Sequence, residues 1–333
     1  MKIIYQKKTY LIRIYFLIVI LFIILCGNKK SLSQDAEFVQ FYANPLYLNP
    51  AFAGTNNCPR ISANHRVQWS GLPNVYNTTS ISYDQDNRKL HGGLGLIVLN
   101  DQLSTSLKNI RVSGIYSYEI ILSKNFHLRT GFEASLWQNK LFFDQLTFID
   151  NIDPIRGFVN PTSNFGYNDS KSGLDFSSGL LGYSKTLFFG VSAHHLTQPN
   201  QTNLSLDALL LRKYTVNLGY HLTVLNHKSQ IDHEPLIISP NIIWKQQGDS
   251  KQLNLGLYLE KGAYVAGLWY RNNQNYSVIL GVKVGQINIG YSYGINFSRL
   301  QLATSGSHEI SIQINLNCEN KNKLYNTLSC PSF

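Results

Sequence analysis

Three successive segments between Tyr264 and Phe297 alternate apolar and polar residues with a period of two. Tyr264, Ala266, Leu268 and Tyr270 share one face of the first. Tyr276, Val278, Leu280, Val282 and Val284 share a face of the second, and Ile287, Ile289, Tyr291, Tyr293, Ile295 and Phe297 of the third. A helix with its period of 3.6 would scatter them, so the pattern predicts strands. Only Asn272 to Asn275 and Gly285-Gln286 separate the three, which predicts antiparallel hairpins.

The same alternation runs through most of the chain. It predicts strands over 60–70, 76–84, 92–101, 107–121, 126–140, 172–184, 187–195, 211–224, 236–245, 252–261 and 309–316 as well, a total of about fourteen. In the hairpin around Ser123-Lys124-Asn125, the apolar faces carry Ile110, Val112, Tyr116, Tyr118 and Ile120, and Phe126, Leu128, Phe132, Ala134 and Leu136. The opposite faces carry Arg111, Ser113 and Glu119, and His127, Arg129 and Glu133. Apolar outside and charged inside is the sign of a transmembrane β-barrel with a wet interior. An even number of strands lets the sheet close and leaves no edge. Arg111, Arg129 and Glu133 are expected to satisfy one another in an internal ion network. The aromatic stretch 141–171, the longest interruption, is expected to be a surface loop at the outer end of the fifth strand.

The first 33 residues read as a secretory signal peptide. Lys2, Lys7, Lys8 and Arg13 precede or enter an apolar run from Ile14 to Leu25, and Ser31 and Ser33 supply small residues for cleavage before Gln34. The apolar run is shorter than the ~20 residues that span a bilayer, and Leu25 before Cys26 does not suit a lipoprotein site. Composition changes little in this picture. The net charge of +10 falls to +4 without the signal, and no basic stripe with interleaved aromatics suggests nucleic acid. Twenty Tyr and 17 Phe against one Met suit a chain with interfacial aromatics and no helical core.

After the signal comes Gln40-Phe41, then Asn44-Pro45-Leu46-Tyr47-Leu48-Asn49-Pro50-Ala51-Phe52-Ala53-Gly54. Two Asn-Pro pairs and a glycine interrupt regular structure. The aromatics predict that it packs inside a barrel or on its periplasmic rim. With Gln68-Trp69-Ser70-Gly71, the strand Gly92-Gly93-Leu94-Gly95-Leu96 ending in Asn100-Asp101, and His195-Leu196-Thr197-Gln198-Pro199-Asn200, this opening resembles the PorP/SprF family of the type IX secretion system of gliding and related bacteria. The resemblance implies a FadL-like outer-membrane barrel, the periplasmic ring and translocon as partners, and secreted cargo with a C-terminal sorting domain. It carries over Asn44, Pro45, Asn49, Pro50, Gly54, Gln68, Trp69, Gly71, Asn100, Asp101, His195, Gln198 and Pro199 as family-motif residues, more fold-defining than contact-making. The organisation expected is signal 1–33, plug or rim segment 34–58, barrel 59–317 and periplasmic tail 318–333.

Other chemistry is sparse. The glycine run at 92–95 lacks the Lys-Ser/Thr of a phosphate loop and is better read as the inward face of a curved strand. Adjacent His194 and His195 are expected on opposite faces of a strand, so they do not chelate one metal. No local signature nominates a nucleophile with its base. Neither catalysis nor a cofactor is therefore expected. Of the cysteines left after export, Cys58, Cys318 and Cys330, one pair should oxidise. Cys58 with Cys318 would fasten the first strand to the last, and Cys318 with Cys330 is the local alternative. The reading from a different class is a FadL-like channel for hydrophobic solutes.

Overall fold

The computed structural model describes residues 35–316 apart from 57, 73–75, 147, 149–150, 154, 159–168, 202–208, 225–233, 273–274 and 297–304. The predicted signal peptide and C-terminal tail lie outside these residues. Among the described residues the chain forms a closed antiparallel barrel of fourteen strands. They are β1 Arg60–Gln68, β2 Tyr76–Asn87, β3 Gly92–Leu103, β4 Leu107–Ser123, β5 Phe126–Leu141, β6 Asp169–Tyr183 and β7 Leu187–His194. There follow β8 Lys213–Tyr220, resumed as Leu222–Val224, then β9 Leu236–Gln247, β10 Ser250–Lys261, β11 Tyr264–Arg271, β12 Asn275–Val284, β13 Ile287–Asn296 and β14 Ser307–Asn315. Each pairs with its predecessor. The seam closes where β1 pairs with β14, in a register from Arg60↔Asn315 to Gln68↔Ser307.

The wall is the inverse of a soluble core. On β1 and β2 the buried, inward side chains are Arg60, Ser62, Asn64, Arg66, Thr78, Ser80, Ser82 and Asp84. Exposed large apolar residues face out, among them Ile81, Leu255, Leu257, Leu259, Val278, Leu280 and Val282. Tyrosines cluster near the two ends of this apolar band. Tyr270 lies 5.1 Å from Tyr276, and Trp69 meets Tyr76, at one end. Tyr83, Tyr118, Tyr220 and Tyr264 stand exposed toward the other. A lipid-facing belt edged by aromatics accounts for all three features.

The connections are unequal. The longest connections, those after β5 and β7, start and finish at the same end of the barrel as those after β1 and β13. At the opposite end start and finish the short turns 88–91, 124–125, 184–186, 262–263 and 285–286 and the longer connection between β8 and β9, together with the start of β1 and the finish of β14. Within the loop after β5, Ile152–Asp153 and Gly157–Phe158 form a small separate ribbon.

The hydrophobic core is inside the barrel. Asp35 to Thr55 lies within the lumen, with Phe41, Tyr42, Leu46, Leu48, Ala51, Phe52 and Ala53 all buried. Its local form follows from the Asn-Pro pairs. Proline suits the first helical position, where no N–H is needed, so a four-residue helix starts at Pro45 and a tight turn at Pro50. Asn49 caps that turn, its Oδ1 accepting from the Ala51 N–H at 2.9 Å. The plug predicted from the opening segment is thus a compact knot of short turns.

Candidate functional site

The site is the seat of this plug against the wall. One side is made by glycines that let main chains approach. A Cβ on Gly93 would lie 2.2 Å from the Ala53 carbonyl oxygen, and one on Gly131 would lie 2.3 Å from the Ala51 nitrogen. On Gly179 it would meet Asn49 Oδ1 at 2.0 Å. These positions sit on β3, β5 and β6, where any larger residue would expel the turn 49–54. The other side is aromatic. Phe41 meets Trp269 edge-on at 4.7 Å, and Tyr42 packs against Phe188 and Tyr258.

Polar groups then lock the plug in register. Asn49 Nδ2 donates to the Leu180 and Val191 carbonyls, at 3.0 and 3.2 Å. Glu309 on β14 accepts from the Val39 and Gln40 N–H groups at 2.6 and 3.0 Å. Arg60 holds Asp84 through two bonds at 2.8 and 3.0 Å, and Asp84 Oδ2 also accepts the Gly54 N–H. Arg129 donates to the Ala53 carbonyl at 2.8 Å while pairing with Asp86 and Glu119. Such bidentate and charge-assisted bonds are directional as well as strong.

Two acids in the plug complete the lock. Asp35 lies 2.6 Å from Lys213 Nζ and 2.8 Å from His195 Nε2, and His195 Nδ1 in turn lies 2.6 Å from Asp175. Burial opposes ionisation of Asp35, but His195 and Lys213 hold its carboxyl well below the usual range. Glu37 pairs with Lys245 at 3.3 Å and Arg271 at 2.9 Å. Against the opposing effect of burial, these two cations bring it from 4.5 down to about 2.

Six of the thirteen motif residues named from the sequence lie here. Asn44, Pro45, Asn49, Pro50 and Gly54 form the plug, and His195 is the wall residue that Asp35 meets. Gly54, Trp69, His195 and Gln198 all have positive φ, at 68°, 62°, 59° and 46°. Such backbone is rare outside glycine, so several motif positions mark sharp chain reversals at the plug and the strand ends. Pro199 accepts the Leu210 N–H, holding the base of the loop after β7. Gln68 ends β1 and Gly71 lies in the turn beyond it. Asp101 faces in and accepts from Thr78 at 2.6 Å, whereas its neighbour Asn100 occupies the alternate position on β3.

Two expectations are corrected. His194 and His195 do not point to opposite faces. The strand ends at His194, and the left-handed turn at His195 brings both side chains into the interior. Nor do Arg111, Arg129 and Glu133 form one network: Arg129 pairs with Glu119 and Asp86, while Glu133 lies 3.7 Å from His194. Barrel stagger, invisible in a hairpin read alone, decides which inward residues meet. The sequence reading passed over Asp35, Glu37, Lys213, Lys245, Arg271 and Glu309. For Lys213, Lys245, Arg271 and Glu309 the available signal is charge at inward positions of strands, whereas Asp35 and Glu37 lie in the plug segment. Cys58 is disulfide-bonded. The other cysteines lie outside the described residues.

A family described as "Type IX secretion system membrane protein PorP/SprF" matches residues 30–314. The chain belongs to the PorP/SprF family. Membership makes this PorP/SprF barrel a membrane component of the type IX secretion system, of outer-membrane type. A search of curated proteins finds no match. Among solved structures, a KdgM porin is similar at 14% identity and TM-score 0.35, over 77% of this chain and 98% of its own. The CymD monoaromatic hydrocarbon channel is similar at 12% identity and TM-score 0.42, over 85% and 94%. A Pseudomonas aeruginosa FadL homologue is similar at 10% identity and TM-score 0.41, over 86% and 100%. Likenesses this remote carry no functional argument for the PorP/SprF chain.

Proposed function

We propose that this PorP/SprF barrel is a non-enzymatic, plugged anchor of the secretion system in the outer membrane. It helps export or surface-anchor cargo that bears a C-terminal sorting domain, through contacts with the translocon and the periplasmic ring. The observation that carries this reading is the N-terminal segment held inside the lumen: ion pairs at Asp35 and Glu37, main-chain contact at Gly93 and Gly131, and the Asn49 side chain against Gly179 suit a fixed support better than a conduit. The short-turn end, where β1 starts and β14 finishes, is the periplasmic face in this reading, because outer-membrane barrels keep their short turns there. Residues 1–33 act as the export signal. The buried His195 is no general base, since both its ring nitrogens lie against carboxylates.

Affinity capture of the tagged chain from detergent-solubilised outer membranes, read by mass spectrometry, tests the proposal. Secretion-system subunits should be enriched, and a deletion strain should lose surface cargo. Recovery of none of them, with labelled hydrophobic solute entering in a way that depends on the barrel, would favour the FadL-like channel instead.

A further inference from the structure

The lock leaves some strong donors unused. Arg66 on β1 faces in and is only 6% exposed, yet it has no hydrogen bond or ion pair among the described residues. Its cross-strand neighbours are Glu309 and Thr78, and neither bonds it, although Glu309 and Glu37 lie within electrostatic range. Glu309 is turned to the Val39 and Gln40 N–H groups, and the Thr78 hydroxyl donates to Asp101. Arg111 on β4 repeats the situation. Its Nε is buried without a partner, and so is the indole Nε1 of Trp137, the residue directly across from it on β5. The acids within electrostatic range of Arg111 are Asp35, Asp101 and Asp175. Each is bonded elsewhere, to Lys213 and His195, to Thr78, and to His195 and Thr197.

Arginine and indole nitrogens only donate. Buried donors are normally satisfied, by protein or by a bound group. All three donors lie on the long-loop side of the barrel, near the finish of β1, the start of β4 and the finish of β5. Both arginines also lie within electrostatic range of Tyr47, in the plug's helix, which puts them on the side of the wall that faces the plug. We propose that Arg66, Arg111 and Trp137 form a binding site in the outer half of the lumen for an oxyanion, a carboxylate or phosphate group of a small solute. Arginine presents a planar fork that matches either group, and the locked plug restricts approach to the long-loop side.

The full chain, purified in detergent, is titrated with sodium phosphate and with sodium acetate at constant ionic strength against chloride, and its unfolding midpoint is followed. A saturable rise with either anion is expected, and which one acts identifies the group. That rise should vanish in Arg66→Gln and in Arg111→Gln. Should the arginine variants fail to assemble, Trp137→Phe, which removes only one donor, should weaken the response. The same midpoint in all three salts, or an undiminished response in the variants, refutes the site.

Discussion

If glycine at position 131 exists to admit the plug, adding a single methyl group there should loosen it. In Gly131→Ala the new Cβ would lie 2.3 Å from the Ala51 nitrogen, 2.4 Å from the Pro50 carbonyl carbon and 2.6 Å from the Ala51 Cα. Carbon atoms settle at ~3.5–4.0 Å, so the overlap exceeds an ångström and falls on main chain that cannot rotate away. Overpacking of this kind costs ~1–3 kcal/mol. Replacing glycine by alanine in a strand returns ~0.5–1 kcal/mol. The net is a loss of ~1–2 kcal/mol, or a midpoint lower by roughly 2–8 °C for a domain of this size. Gly114→Ala is the matched control, for it points outward and its Cβ would meet nothing within 4 Å. It should leave the midpoint unchanged or raise it slightly. Thermal melts of both variants in one detergent give the comparison. Chymotrypsin cleavage after Phe38, Phe41 or Phe52 should also appear in Gly131→Ala alone. Equal melting of the two variants, with the plug equally protected, would refute the seating described above.

The Glu37 lock should fail in acid. Its folded-state carboxyl lies near 2 against an ordinary 4.5, so its stabilisation is complete above pH 4.5 and is lost as pH falls through 2, on the order of 3 kcal/mol. The melting midpoint should fall across that window, and Glu37→Gln should flatten the fall. Arg129→Ala strips Glu119, Asp86 and the Ala53 carbonyl of their shared donor. A loss of ~3–5 kcal/mol is expected, with only partial recovery in Arg129→Lys, as read by denaturant unfolding. Peptide mapping without reductant should link Cys58 to Cys318, and reduction should remove ~2–4 kcal/mol. A free Cys58 thiol beside a Cys318–Cys330 peptide would overturn that pairing.

The barrel was legible because its alternation is strict and its turns are short. Leu255, Leu257 and Leu259 announce their face without help from any other strand. Aromatics between two Asn-Pro pairs likewise marked 44–54 as packed. What the sequence concealed was pairing across the lumen. Asp35 meets Lys213 and His195, more than 150 residues away, because barrel stagger and the plug's path bring them level. His195 was misread for a local reason: an alternation argument holds only while the strand lasts, and the strand stops one residue earlier. The glycines at 93, 131 and 179 were visible, but what each admits depends on the plug's depth.

The seam between β1 and β14 encircles residues that come before both strands in the chain. Construction therefore has an order. Either residues 35–55 wait in place as the final strand docks, or they thread in through an open mouth once the cylinder is shut. With Gly93 and Gly131 touching main chain and Gly179 the Asn49 side chain, the first route spares a bulky turn from squeezing past a finished wall. A folded domain fused ahead of Asp35 would obstruct either route.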